Sequence, residues 1–233
     1  LWGNFWKAVQ LCGNYNSEKP QSGYFQQKPS IIVTLGIGQD TAAEKALIKV
    51  RFQETELPRD SLFYGADPMQ EINEELYSKF GTYFPIAVGS ESKIFKANVL
   101  INGKPYSYVD RNVIHIELIY FLTQLVLFLR FLRFTIVYDD IWIDAEGAEY
   151  EMFPYFYRGG ALDQNGITLC QFNLEIHQPS DAKKEMFQKF ILQLLRDNRY
   201  GVFRIVQGRH MRLYFLNFSD SHCVSKYIFR STS

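Results

Sequence analysis

Sulfur ligands are scarce in this chain. Its 233 residues include three cysteines, Cys12, Cys170 and Cys223, too few and too scattered for a disulfide framework or a zinc site, both of which need closely spaced sulfur or imidazole ligands. They read as free thiols. An excess of one charge is also missing: Lys plus Arg and Asp plus Glu each number 25, so nothing electrostatic points to a nucleic-acid partner, and small acidic or neutral ligands stay open. Long apolar runs are absent too. The most apolar window, 118–129, is interrupted by Thr123 and Gln124 and followed by Arg130 and Arg133, whereas a membrane span needs roughly 20 consecutive apolar residues. The window reads as a core helix, and no transmembrane segment is expected. The sequence starts at Leu1 with no basic stretch ahead of an apolar one, which fits a fragment or a processed form. A cytoplasmic location is the default expectation, and a secretory-pathway lumen is the alternative if an N-terminal anchor has been removed. Asn217-Phe218-Ser219 satisfies the glycosylation sequon inside a predicted strand and argues little for secretion.

What is present is apolar content of 47%, enough for one three-layer α/β domain. Residues 1–13 place Trp2, Phe5, Trp6 and Val9 at roughly helical spacing, and 14–30 is polar with Pro20, Gly23 and Pro29. Residues 1–30 are therefore expected to form a helix and linker packing on a domain of residues 31–233. Within that domain apolar, β-branched runs alternate with helical periodicity. Strands are expected at 31–35, 61–65, 82–88, 138–144 and 167–176, and helices at 41–51, 70–79, 147–157 and 181–196. Between the third and fourth strands, 93–101 and 105–109 flank Asn102-Gly103, a strong hairpin signal, and 116–131 reads as a helix. Strands 200–206 and 211–218 are joined by Gln207-Gly208-Arg209-His210, too short for a helical crossover, so they pair antiparallel.

Charge in an odd place marks the candidate site. Residues 138–150 crowd Asp139, Asp140, Asp144, Glu146 and Glu149 around the apolar run Ile141-Trp142-Ile143. Asp144 falls at that strand's carboxyl end, where open α/β sheets bind ligands. Helix capping is the competing reading, and it is stronger for Glu149 and Glu151. The turn Gly36-Ile37-Gly38-Gln39-Asp40 between a strand and a helix lets backbone amides approach an acceptor-rich ligand. Asp67 lies just past the second strand, placed either to accept ribose hydroxyls or to cap a helix. Glu175 and His177 end the fifth strand. Glu146 and His177 are the candidate general bases, because both lie just beyond adjacent strand ends and imidazole titrates near neutral pH; a structural role competes for each. His115, His210 and His222 lie in segments away from this rim and read as structural. Asp144, Glu146, Glu175 and His177 could converge as oxygen and nitrogen ligands, but no spacing demands a metal, and none is expected.

With these pieces in order, the chain resembles the FkbM family of S-adenosylmethionine-dependent methyltransferases, in a divergent invertebrate branch. The resemblance is carried by Thr34-Leu35-Gly36, Asp67-Pro68, Ala87-Val88-Gly89, Trp142-Ile143-Asp144-Ala145-Glu146-Gly147-Ala148-Glu149 and Glu175-Ile176-His177. It implies a Rossmann-like class I methyltransferase fold: a mostly parallel seven-stranded sheet whose final strand inserts beside its predecessor as an antiparallel hairpin. It also implies a cofactor, S-adenosylmethionine, with Asp67 on the ribose, Gly36, Ile37 and Gly38 at the backbone approach, Ala87 and Val88 bordering the adenine, and Asp144 on the cofactor or acceptor side. Two departures stand out. The acid that helps hold the methionine amino group is Thr34 here, and Asp40 replaces a small residue late in the turn.

Methyl transfer is an in-line displacement, so aligning donor and acceptor supplies much of the rate; the family's association with O-methylation implies a hydroxyl on a small molecule or glycan. Two other classes are weighed. A nicotinamide-dependent oxidoreductase would want a third glycine where Thr41 stands, and an acid earlier than Asp67. A methyltransferase fold degenerated into a binding module is motivated by Thr34 and Asp40. The oligomeric state is not legible.

Overall fold

Runs of β-branched and aromatic residues form the strands of the main sheet, and residues alternating across them feed two separate helical layers. A computed structural model describes residues 29–49, 57–58, 60–90, 93–101, 104–115, 136–177 and 179–228. The helix expected at 1–13, most of its linker and the helix expected at 116–131 lie outside them. Among the described residues no helix is long and apolar enough to cross a membrane.

The main sheet is built from β1 (Ile31–Leu35), β2 (Leu62–Ala66), β3 (Thr82–Phe84), β7 (Ile136–Ile143), β8 (Ile167–Ile176), β9 (Tyr200–Gln207) and β10 (Met211–Asn217). Its order is β3-β2-β1-β7-β8-β10-β9. β1 pairs in parallel with β2 on one side and β7 on the other, and β8 continues in parallel from β7. β10 then runs antiparallel between β8 and β9. This is the expected α/β, Rossmann-like class I methyltransferase arrangement, with its last strand inserted beside the one before.

Along β1, Val33 and Leu35 face one core while Ile32 faces another. The larger core takes in α3 (Glu149–Met152), the 3₁₀ turn Phe153–Phe156 and α5 (Asp181–Asp197). Its centre is a run of stacked rings, Phe153 on Phe190 and Phe156 on Phe172 on Phe215, at centroid distances of 4.1, 4.5 and 4.4 Å. Such offset pairs add to the burial of their area. α1 (Ala42–Lys49) and α2 (Gln70–Tyr77) cover the opposite face through Leu47, Ile48 and Tyr77. The short α4 (Ala161–Gln164) leads into β8.

Two expectations need correction. The third strand, expected to run from 82 to 88, stops at Phe84. Pro85 has no amide to give a ladder, the amide of Ile86 turns back to the Phe84 carbonyl, and β4 (Ala87–Gly89) joins a second sheet of order β4-β6-β5. That sheet is the expected hairpin, β5 (Lys93–Ile101) and β6 (Lys104–His115), longer than its turn signal indicated. The cysteines are not all free thiols either: Cys170 of β8 and Cys223 form a disulfide, with Cα atoms 5.1 Å apart. They are 53 residues apart in sequence, and spacing carried no sign that a further helix, α6 (Ser221–Tyr227), would fold back onto the sheet. Cys12 is outside the described residues.

α6 is fastened twice. Besides the disulfide, the Lys226 ammonium is buried and donates to Asp139 Oδ1 at 2.7 Å, Ser30 Oγ at 3.0 Å and the Pro29 carbonyl at 3.1 Å. Asp139 Oδ2 in turn accepts from the Ile31 amide at the start of β1. Closing a loop of this length removes denatured-state entropy worth about 4 kcal/mol in the chain-entropy account. Cys170→Ser/Cys223→Ser is therefore expected to lose stability of about that size in a urea titration; midpoints equal to the parent's would refute the bridge.

On the α1/α2 face, Thr34 donates to Glu44 Oε1 at 2.8 Å and accepts from the Tyr77 hydroxyl at 3.2 Å. Burial raises the Glu44 pKa above the ordinary 4.5, against the pull of the Thr34 hydrogen bond. An acid whose folded pKa is raised costs stability as pH climbs past its unfolded value. Glu44→Gln keeps an acceptor for Thr34 without the charge, so it is expected to melt higher than the parent at pH 7.5 and to converge with it near pH 3.5. A variant melting lower at pH 7.5 would contradict this assignment.

Candidate functional site

Three parallel strands end together, and a glycine allows it. The Gly36 amide donates to Ala66 O at 2.8 Å, and the Asp144 amide donates to Leu35 O at 2.8 Å, lacing the ends of β1, β2 and β7. Gly36 has φ +88°, and a Cβ there would lie 2.0 Å from the Asp144 carbonyl oxygen. Gly38 (φ +60°) continues the turn, and the position of its missing Cβ has nothing within 4 Å. The turn is thus tight on its inner side and open on its outer side.

Asp67 holds this turn in place. Its Oδ2 accepts from the amides of Ile37 and Gly38 at 2.9 and 3.0 Å, and its Oδ1 from Met69 at 2.8 Å. The Ile37 side chain is buried in the α1/α2 layer. Asn73, reaching up from α2, accepts from the Gln39 amide at 3.0 Å. Asn73 Nδ2 and Thr41 Oγ1 are buried and have no hydrogen-bond partner among the described residues, which is costly for a polar atom unless another group supplies one. Asp40 accepts from the Ala42 amide at the first residue of α1. Thr34 turns away from this surface to Glu44 and Tyr77. Ala87 and Val88 pair with Val113 and Ile114 of the second sheet, and Val88 is buried against the larger core.

Beyond β7 and β8 lies a cluster of acids and imidazoles. His177 Nε2 is 3.4 Å from Asp144 Oδ1 and 3.6 Å from Glu146 Oε2. Asp144 Oδ1 is shielded from solvent and receives no hydrogen bond from the described residues. Glu146 has φ +49° and Gly147 φ +101°, a left-handed pair that turns the chain sharply after Asp144. The Lys183 ammonium donates to the Gly147 carbonyl at 2.9 Å, and so ties this turn to α5.

Sequence reasoning underrated Glu149. Its carboxylate is fully buried; Oε2 accepts from the Gly147 amide at 2.7 Å and Oε1 from the His177 amide at 2.8 Å. His177 Nδ1 is 3.3 Å from Oε1, and the Tyr150 hydroxyl donates to the His177 carbonyl. Burial opposes charge on Glu149, but the bonds and charge of His177 outweigh it and lower the Glu149 pKa. Burial likewise opposes charge on His177, yet Glu149, followed by Asp144 and Glu146, raises its pKa. Burial, then the charges of Glu175, Glu146 and Glu149, push Asp144 up to about 7 against the pull of His177.

His210 also belongs to this rim, contrary to the expectation that it lay elsewhere. Met211 pairs with Ile176, so the preceding residue faces His177, and the two imidazole centroids are 4.4 Å apart. Burial and the His177 charge lower the His210 pKa. Glu175 is engaged by Arg212 at 2.7 Å. Asp139 and Asp140 serve structure: the first joins β1 to α6, and the second accepts from the Trp142 indole at 2.8 Å.

An uncharacterized protein of Caenorhabditis elegans, C28H8.7, is 26% identical over 92 residues, 40% of this chain. The match spans 31% of that protein's length. Among solved structures, the human methyltransferase 10 domain containing protein gives a TM-score of 0.41 and the delta-N METTL16 MTase domain 0.36. Each is 10% identical, and the match covers 92% of this chain and 81% of the other. The methyltransferase FkbM domain matches residues 11–202, and with most of its length inside that match this chain belongs to the FkbM methyltransferase family.

Proposed function

We propose that this chain transfers the methyl group of S-adenosylmethionine to a hydroxyl of a small molecule or glycan. The observation that carries the reading is the glycine turn, open on its outer side and bordered by buried polar atoms without partners among the described residues, Asn73 Nδ2 and Thr41 Oγ1. Spare donors beside exposed backbone suit a polar nucleoside. Asp67 fits that ligand in part. Its Oδ2 is taken up by two amides, but Oδ1 accepts one, and a carboxylate oxygen has about two acceptor positions. Room remains for one ribose hydroxyl.

Thr34 does not fit the part of the absent family acid, because its hydroxyl is committed to Glu44 and Tyr77. Asp40 is committed to α1. That leaves Asp144 as the carboxylate next to the turn, with Ala87 and Val88 assigned to the adenine border. When bound, S-adenosylmethionine supplies an electrophilic methyl group on a sulfonium. The chain's own residues bind, orient and exclude water, and Asp144, Glu146 and His177 provide the place where an acceptor hydroxyl is activated. The committed Thr34 favours one second reading, a cofactor-binding module without turnover.

Calorimetric titration with S-adenosylmethionine, S-adenosylhomocysteine and NAD tests the proposal. Saturable binding of the first two is expected, with Asp67→Ala weakening S-adenosylmethionine about tenfold, as suits loss of a hydrogen bond to a charged group, and more than His177→Ala does. Binding of NAD alone would sink the reading. Binding without any methylated product in an untargeted search would favour the module.

A further inference from the structure

We propose that Asp144, Glu146 and His177 form a binding site for one divalent transition-metal cation at the carboxyl ends of β7 and β8. The spacing of the three side chains is the first argument. His177 Nε2 stands 3.4 and 3.6 Å from the two carboxylate oxygens, and one atom from each residue falls within 4.8 Å of the others. Charge-assisted hydrogen bonds close to about 2.7–2.9 Å, so these contacts are too long for them. Atoms held on one tetrahedral ion at about 2.1 Å stand about 3.4 Å apart.

Two independent observations point the same way. Asp144 Oδ1 is occluded from solvent and receives no hydrogen bond from the described residues although it faces an imidazole nitrogen, so this acceptor has room for a further partner. His177 Nδ1 sits against the buried Glu149 carboxylate, which turns Nε2 toward Asp144 and Glu146. A carboxylate behind the far nitrogen of a histidine is the usual backing of a metal-bound imidazole, fixing the ring and raising its basicity. His210, whose occluded Nδ1 has no hydrogen-bond partner among the described residues, is the next nitrogen beside the set. Two carboxylates and an imidazole suit zinc or manganese better than calcium or magnesium, which prefer all-oxygen shells. The purpose of the cation, holding an acceptor oxygen, rests on the proposed methyl transfer; its binding does not.

The test uses the whole chain, cleared with EDTA and titrated calorimetrically at pH 7.5 with Zn²⁺ and separately with Mn²⁺, in the absence of S-adenosylmethionine. One equivalent is expected to bind. Glu146→Gln, at a side chain 44% exposed, should weaken binding at least about tenfold with circular dichroism unchanged. Glu149→Gln should weaken it about ten- to a hundredfold, as outer-shell partners do, with circular dichroism unchanged. His222→Ala should bind as the parent does. No saturable binding of either ion, or binding that Glu146→Gln and His177→Ala leave untouched, would overturn the site. With no cofactor in the cell, the outcome is independent of whether S-adenosylmethionine binds.

Discussion

The approach of Gly36 to the Asp144 carbonyl is the contact on which the site depends. The space left by the missing Cβ is occupied by that oxygen, and β1 and β7 can end side by side only because position 36 has no side chain. A residue there other than glycine would meet both a backbone atom and an unfavourable positive φ. From this one approach follow the amide bonds that lace the ends of β1, β2 and β7 and the closeness of the glycine turn to the acidic cluster. The glycine turn and the Asp144 cluster are neighbours because a backbone, not a side chain, separates them.

Around that contact the chain uses buried carboxylates as fasteners. Asp67 gathers three amides from two loops, Glu149 joins the turn after β7 to the end of β8, and Asp139 joins β1 to α6. Each satisfies donors that no strand or helix could, and bonds to an ionised acceptor are roughly twice as strong as neutral ones. They differ in charge balance. Among the described residues Asp139 has Lys226 beside it and Glu149 the His177 imidazole, so the charge of Glu149 is spent on His177.

Much of the fold was legible because element order is written in periodicity. Alternating apolar runs located every strand of the main sheet, and a four-residue connection required the final antiparallel pair. What was not legible depended on geometry between distant segments. Pro85 was visible, but that it diverts Ala87–Gly89 to another sheet depends on β6 being there to receive it. Cys170 and Cys223 carry no spacing signal for their bridge. His210 needed the register of β10 on β8, which is set by the core face of both strands and not by the connection. Glu149 was weighed as a helix cap, and it does accept an amide of its own turn; its second oxygen reaches a strand 28 residues away, which no local pattern encodes.

The position of β1 has a kinetic consequence. It is an interior strand, third of the seven in the sheet, yet the Ile31 amide bonds to Asp139 across 108 residues of chain, while β9 and β10 meet across a short turn. Contacts that span long loops must wait for the loop-closure entropy to be offset by structure already made. The C-terminal half, rich in local pairings, is therefore the region able to fold first, and the glycine turn takes shape only when β1 docks against it. On this ordering the glycine turn is among the last parts of the molecule to form.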